Sequence, residues 1–465
     1  MAAYKIIFPS NINYSCLCCG ACCQKWEIPV GEEEAARFRE TDWHSSFVSA
    51  AMPEPDLVRD GVYEPREEIK VELKKINYLN YHSSLKYNFK MRSDKQCIFL
   101  KKDNLCHMHA EKGFDYKAFT CKTFPVKLLY LPDNVVQVNY SFFCPGVYCD
   151  GKPEYDTAHI EKLIECDNDR TIAEPRLEFA EGTEIEYRDM LEINHFISDF
   201  LFDKDNASHL NDAGYTRDDE LWNKYGSTLD FDKRMAVALY VVLFLSRLAS
   251  KLRSEDPANY LEKFRGEISN KGVMKKLIEK CSDIYDASAA KNIGPLILMA
   301  FISLHQVGSR EYSNFTKAFT ILSNMFKCST GWGSFCAPAH GFNFRMKMHS
   351  LIKFDSKNPE LLAPVEKYIS HCIFRKRSFY SSGLLKEYQY ITLFYSLIKW
   401  YAKSYAVQRK DSAVSAEDVK KAVALIEKGY ANHSLLLNIL ETNKNFAGIF
   451  GPIFGNYSLI KTVIG

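Results

Sequence analysis

The chain has 465 residues, long enough for about two to four domains and for a sizeable core. Hydrophobic residues make up 46% and charged residues 25%, which excludes a disordered chain. Lys and Arg number 60 against 58 Asp and Glu, a net charge of +2. No bulk field therefore favours nucleic acid or an anionic membrane, and neither is expected as a partner.

Residues 1–155 mix short helices and strands. Glu32–Glu40 reads as a helix entered through Gly31. Ile69, Val71 and Leu73 alternate with charged residues, the pattern of a half-buried strand. Val126–Leu131 and Val135–Phe142 are strand-like runs separated by Pro132-Asp133-Asn134, a hairpin signal that leads into Cys144-Pro145.

Residues 156–465 are helical in pattern. Ile185, Met190, Ile193, Ile197, Phe200 and Leu201 fall on one helical face. Further helices are expected over 233–253, 258–280, 294–306, 311–326, 361–376, 387–408 and 416–442. Ser415 and Asp418 form a capping-box pattern, and Gly429 is placed to end the first part of that helix. Thr330–Phe344, rich in Gly, Pro and aromatics, reads as an irregular loop. The longest apolar run, Met235–Leu245, has 11 residues; spanning a bilayer takes about 20, so it reads as a buried helix. The fold class is mainly α: a small Cys-rich α+β module fused to a larger all-α domain.

The 15 cysteines are the outlier. Eleven lie within residues 1–166, and five of those fall between Cys16 and Cys23. The N-terminus lacks a basic segment followed by an apolar one, so a secretory signal is not expected. Adjacent pairs such as Cys18–Cys19 and Cys22–Cys23 are poor disulfide partners but suit a shared metal. A reducing, cytoplasmic setting with metal-bound thiolates is the expectation.

Cys16, Cys19, Cys22, Cys23, Cys97, Cys106, Cys121 and Cys144 are the candidate ligands, delivered by four separated segments. Gly20 permits a tight turn among the first four. The spacing is not that of a zinc finger. Eight thiols exceed the needs of one zinc ion; they suit an iron–sulfur cluster with spare ligands, or two metal centres. His107 and His109 flank Cys106 and are available as substitutes or as ordinary hydrogen-bonded residues. Cys18 is an extra thiol inside the cluster. Cys149, Cys166, Cys281, Cys328, Cys336 and Cys372 read as small buried hydrophobes. No dinucleotide-binding glycine turn, phosphate loop, nucleophile elbow or His-Glu-x-x-His is present, and Ser15 stands where a radical S-adenosylmethionine pattern would need its first cysteine.

CLCCGACCQKWEI (16–28), CIFLKKDNLCHMH (97–109), FTCKTFP (119–125) and FFCPGV (142–147) resemble the flagellin lysine N-methylase family, part of the wider CxxCxxCC cysteine-cluster proteins. Trp26, Leu105-Cys106 with His109, Thr120-Cys121-x-x-Phe124-Pro125 and Cys144-Pro145 carry the likeness, and PVEKYISHCIFRKRSF (364–379) is similar to that family's helical half. Where the family has Pro-Arg and Cys-Pro-Glu, this chain has Pro125-Val126 and Cys144-Pro145-Gly146. The resemblance implies an iron–sulfur cluster, S-adenosylmethionine as methyl donor, and a lysine of a flagellin-like protein as acceptor.

The resulting expectation is a protein lysine N-methyltransferase with a [4Fe-4S] cluster. Zinc is the alternative metal. A non-enzymatic chelating adaptor and an electron-transfer protein are the alternative functions. The amine must be neutral to attack a methyl group, so a carboxylate, a tyrosine or a desolvating pocket should lower its pKa. A sulfonium cation favours aromatic faces, and loop 330–344 is a candidate wall for its pocket. No residue is singled out as catalytic or as binding the methyl donor.

Overall fold

The computed structural model describes residues 4–24, 28–65, 86–151, 155–167, 170, 172–180, 182–212, 215–290, 293–308, 314–337, 341–376, 383–431 and 450–465. The expected strand at Ile69–Leu73, and Trp26, lie outside the described residues. The chain divides into two compact units: Met1–Phe8 with Ile12–Ala173, and Pro9–Asn11 with Glu174–Gly465.

In the first unit, β1 (Lys5–Ile7) runs parallel to a later strand, and β2 (Pro29–Val30) precedes α1 (Glu32–Arg39) and α2 (Trp43–Ser49). Acidic Glu32, Glu33 and Glu34 open α1, and Arg37 and Arg39 close it, each sign opposing the helix dipole. The carboxylate of Glu34 accepts from the Gly31 N–H at 3.0 Å, capping the first turn. Next come β3 (Tyr63–Pro65) and β4 (Tyr87–Phe89), which pairs with both β2 and β3. They are followed by α3 (His107–Lys112) and α4 (Phe119–Thr123).

The predicted hairpin is present as β5 (Val126–Leu131) and β6 (Val135–Tyr140), in register from Val126–Tyr140 to Leu131–Val135. Asp133 and Asn134 take positive φ in its turn, which these two residue types tolerate. β6 also holds β1, giving sheet order β1-β6-β5. α5 (Thr157–Cys166) and the bridge from Ile172 to Tyr130 carry this unit on to Ala173, beyond the expected 155. Its aromatic core packs Phe38, Trp43, Phe47, Phe89 and Phe99 at tilted or edge-on angles and includes Cys97, with Cys23, Cys106 and Cys121 packed against the cluster.

The second unit is helical with two hairpins. β7 (Arg176–Ala180) pairs with β8 (Thr183–Glu186), and α6 (Tyr187–Leu201) follows. Met190, Ile193, Ile197, Phe200 and Leu201 are buried on α6, whereas Ile185 belongs to β8, because Gly182 turns the chain into a hairpin first. The run Met235–Leu245 lies within α7 (Phe231–Glu255). By length and composition α7 could cross a membrane, but 67% of its apolar window is buried against the protein.

The helix expected at 258–280 is two: α8 (Tyr260–Ile268) and α9 (Lys271–Ala287). Asn270 splits them by capping the N–H groups of Gly272 and Val273. α10 (Gly294–Gly308) pairs with α11 (Asn314–Thr330). The stretch expected as a loop holds a hairpin, β9 (Ser334–Ala337) with β10 (Phe342–Arg345), because Phe335, Ala337, Phe342 and Phe344 alternate inward. α12 (Met346–Leu351), α13 (Pro359–Phe374) and α14 (Leu384–Gln408) follow. α15 (Ala416–Ile426) opens on the predicted box: Ser415 Oγ accepts from Asp418 N–H at 3.2 Å and Asp418 accepts from Ser415 N–H at 3.0 Å. Gly429 does not end the helical path, which widens into a π turn over Glu427–Ala431. α16 (Tyr457–Ile464) closes the chain described.

Candidate metal centre

The cysteine-bearing segments 16–23 and 97–106 of the first unit are tied to each other by backbone hydrogen bonds. Gly20 has φ 68°, and a Cβ there would press on Asn104 and Leu100 at 3.2 Å. Only glycine meets both demands cheaply. The turn it makes is closed by Cys23 N–H donating to the Gly20 carbonyl at 2.9 Å. Cys97 N–H then donates to the Cys23 carbonyl at 2.8 Å, tying the second segment to the first. The loop after Cys97 returns through a bridge of Leu100 with Cys106, and His107 N–H donates to Phe99. Arg92, almost wholly buried, fixes that loop by donating to the Leu100 carbonyl at 2.8 Å.

Cys121 comes from α4, which is held from outside by two bonds. Phe119 N–H donates to Glu34 at 2.5 Å, and Thr120 Oγ1 donates to the Pro29 carbonyl at 3.1 Å. Glu34 thus caps α1 and positions the Cys121 turn at once. Cys144 begins a 3-10 turn, Pro145–Tyr148, that lies on the segment before Cys16: Ser15 N–H donates to the Gly146 carbonyl at 3.3 Å. A Cβ on Gly146 would fall 2.3 Å from the Ser15 carbonyl oxygen. A glutamate at this position, as in the family the sequence resembles, has no room in this packing.

The sulfurs of Cys22 and Cys23 are 3.7 Å apart. The Cys23 thiol hydrogen-bonds Cys22 and, with Lys117 assisting against burial, pulls the Cys22 pKa down to about 7. Cys23 is pushed far up by the same hydrogen bond, by burial and by the neighbouring Cys22, Cys97 and Cys121. Burial raises Cys97 to about 12, with Cys106 and Cys22 adding to it. Burial likewise raises Cys106 and Cys121, and both also feel Cys22. Cys144 is raised to about 12 by burial, then by Cys22, Cys19 and Cys16. Two overlapping groups result, Cys22, Cys23, Cys97, Cys106 and Cys121 on one side and Cys16, Cys19 and Cys144 on the other, with Cys22 in the field of both.

Thiolates crowded this way repel one another, and a cation is the natural counterweight. Among the described residues, no three Cys, His, Asp or Glu side chains are gathered tightly enough to hold a metal ion as they stand. The donor chemistry still fits a thiophilic ion. With metal–sulfur bonds of about 2.3 Å, two thiolates on one tetrahedral ion stand about 3.8 Å apart, and Cys22 and Cys23 are at 3.7 Å.

Of the two histidines, His107 has Nε2 taken by Ser46 Oγ at 2.8 Å and Glu111 at 3.0 Å. His109 packs edge-on against Phe114. Burial lowers the pKa of both. Cys18, exposed and at positive φ, donates its N–H to Cys16 Sγ at 3.4 Å. Cys281 and Cys372 are buried as expected of small hydrophobes; Cys149 and Cys328 are half-buried, and Cys166 and Cys336 are exposed.

Lys117 escaped the reading of the sequence. Its charge lowers Cys22, Cys106 and Cys121, and its only linear signal is a lysine four residues before Cys121. A second missed group lies inside the helical unit. His195 Nε2 is 2.8 Å from Asp212, Lys376 Nζ is 3.3 Å from the same carboxylate, and His209 Nε2 is 3.1 Å from Asp199. The Tyr215 ring lies 4.1 Å from His195 and 4.8 Å from His209. Burial opposes ionisation of Asp212, but Lys376 and His195 hold its pKa down to about 2. These residues are scattered from 195 to 376 with no local pattern, so only folding reveals them.

Residues 15–145 match the model of the CxxCxxCC family, described as "Putative zinc- or iron-chelating domain". "Uncharacterized protein MJ0939" of Methanocaldococcus jannaschii is 23% identical over 146 residues, 31% of this chain and 40% of that protein. The chain thus spans less than half the length of this curated relative. No solved structure matches the chain. The N-terminal part is therefore similar to the cysteine-cluster proteins named for zinc or iron chelation.

Proposed function

We propose that the first unit binds zinc or iron through cysteine thiolates. The observation that carries the reading is the Cys22–Cys23 sulfur pair at 3.7 Å, with Cys97, Cys106 and Cys121 in its electrostatic field. Cys22 and Cys23 would share one ion, with two of Cys97, Cys106 and Cys121 completing a four-coordinate thiolate set. Cys16, Cys19 and Cys144 are a further donor set, which makes a multinuclear centre such as a [4Fe-4S] cluster the finer form of the proposal. Bound metal neutralises the thiolates, and its binding energy becomes folding energy for this unit.

The activity we propose for the whole chain is methyl transfer from S-adenosylmethionine to a lysine of a flagellin-like protein. Its support is the motif resemblance over 16–147 and 364–379. In that reaction the neutral amine nitrogen attacks the methyl carbon, the carbon–sulfur bond breaks, and its electron pair returns to sulfur as S-adenosylhomocysteine leaves. The amine then gives up a proton.

The experiment is anaerobic purification followed by iron, zinc and acid-labile sulfide analysis, then calorimetry with S-adenosylmethionine and labelled-methyl transfer to flagellin. Iron with stoichiometric sulfide supports the cluster. Zinc without sulfide supports plain chelation. A protein that holds neither metal overturns the centre. A metal-loaded protein that binds no methyl donor overturns the methyltransferase and leaves a chelating adaptor.

A further inference from the structure

The net charge of +2 conceals a local asymmetry in the helical unit. From residue 312 to 354 there is no Asp or Glu, while Lys and Arg occur at Lys317, Lys327, Arg345, Lys347 and Lys353. This acid-free stretch also carries the largest exposed apolar side chains of that unit. Phe319, Leu322 and Phe326, spaced along one face of α11, are 63–66% exposed. Trp332 is 79% exposed, and Met348 and Leu351, three residues apart on α12, are 53% and 66% exposed.

These side chains come from adjoining elements. The opposite face of α11 is the packed one, where Asn324 donates to Ser303 of α10 at 3.0 Å. At the C-terminal end of α11, Gly333 lies against the Lys327 side chain and Gly331 approaches Lys347 Cα. Met346 N–H donates to the Gly333 carbonyl at 3.0 Å, bringing the start of α12 to the same end. Phe326, Trp332 and α12 therefore converge, with Lys327, Lys347 and Lys353 interspersed.

A monomeric protein pays for leaving such apolar area in water, and clusters of this kind mark interaction sites. Phe, Leu and Trp, flanked by lysines of a stretch that has no carboxylate of its own, match the chemistry of an anionic bilayer surface. The apolar rings enter the headgroup boundary and the lysines meet lipid phosphates. We propose that α11, Trp332 and α12 form a docking surface for an anionic lipid membrane, on which the protein lies without spanning it. An acidic protein partner would be expected to meet the lysines, but not to need so many exposed apolar side chains beside them.

The test is co-sedimentation of the full-length protein with vesicles of phosphatidylcholine alone or mixed with phosphatidylglycerol. Wild type should pellet with the mixed vesicles at low salt and much less with phosphatidylcholine alone. The variant K327E/K347E should lose about tenfold or more in affinity for mixed vesicles. L322S/F326S should lose binding even at low salt, while circular dichroism stays unchanged because both side chains are exposed. In a W332F background, the fluorescence blue shift on adding vesicles should shrink. The proposal is overturned if neither vesicle pellets the protein, if the variants bind as wild type does, or if an acidic peptide competes while vesicles do not. A concentration-dependent dimer abolished by L322S/F326S, with no vesicle binding, would overturn it in favour of a second copy.

Discussion

The N–H of Cys97 donates to the carbonyl of Cys23 at 2.8 Å, joining two cysteine-bearing segments 74 residues apart. This backbone bond ties the first two cysteine segments, while the side chains of Glu34, Thr120 and Arg92 hold the others.

Replacing Cys23 or Cys121 by Ser removes a thiolate without touching this backbone bond. Metal content should fall, and the first unit should become easier to cleave, because metal binding is coupled to folding. The helical signal of the second unit should persist. Limited proteolysis with mass mapping checks both; unchanged resistance within residues 12–173 would contradict the coupling.

Gly20→Ala and Gly146→Ala test the turns that deliver the thiols. At Gly146 the new methyl meets a main-chain oxygen at 2.3 Å, so the backbone itself has to move. At Gly20 the methyl meets side-chain atoms at 3.2 Å, but φ is 68°. Each substitution should cost about 1–3 kcal/mol, with Gly146→Ala the worse, measured by denaturant melts.

The thiols give the metal-stripped protein a distinctive pH dependence. Cys97 and Cys144 titrate at about 12 in the fold against an ordinary 9.0. A raised folded pKa gives stability that is complete below the unfolded value and lost as pH rises through the folded one. Stability of the stripped protein should therefore decline from about pH 9 towards 12, and Cys97→Ala should flatten part of that decline. Cys22 behaves oppositely. Its thiolate should react with iodoacetamide with a midpoint near 7, and Cys23→Ala, then Lys117→Gln, should move the midpoint up.

Asp212→Ala should destabilise the helical unit by about 3–5 kcal/mol, since it strips the counter-ion from a buried lysine; Lys376 is only 2% exposed. The contribution of Asp212 is present above its ordinary 3.8 and lost as pH falls through about 2. Acid melts of wild type and variant should converge as that pH is approached. The double change Asp212→Ala with Lys376→Met should recover much of the loss, and failure to recover would assign the effect to packing instead.

Local patterns in the sequence determined a good deal. The β5–β6 hairpin, the Ser415–Asp418 box and the long buried helix around Met235–Leu245 were legible because each depends on residues a few positions apart. The cysteine segments and the turn at Gly20 were legible for the same reason. What the sequence missed is where a single residue redirects the chain: Asn270 dividing one helix into two, Gly182 turning Ile185 into a strand, and the alternating aromatics that pair 334–337 with 342–345.

Tertiary structure alone decided which thiols face one another. The segments of Cys97, Cys106 and Cys121 are placed by hydrogen bonds that Glu34, Pro29 and Arg92 make with other segments, and no spacing rule encodes those partners. It also decided the His195–Asp212–Lys376 group, whose members gain their strength from shared burial. The physical reason is range. Turn and helix preferences act over a few residues, whereas desolvation and Coulomb forces act between whatever side chains the completed fold places together.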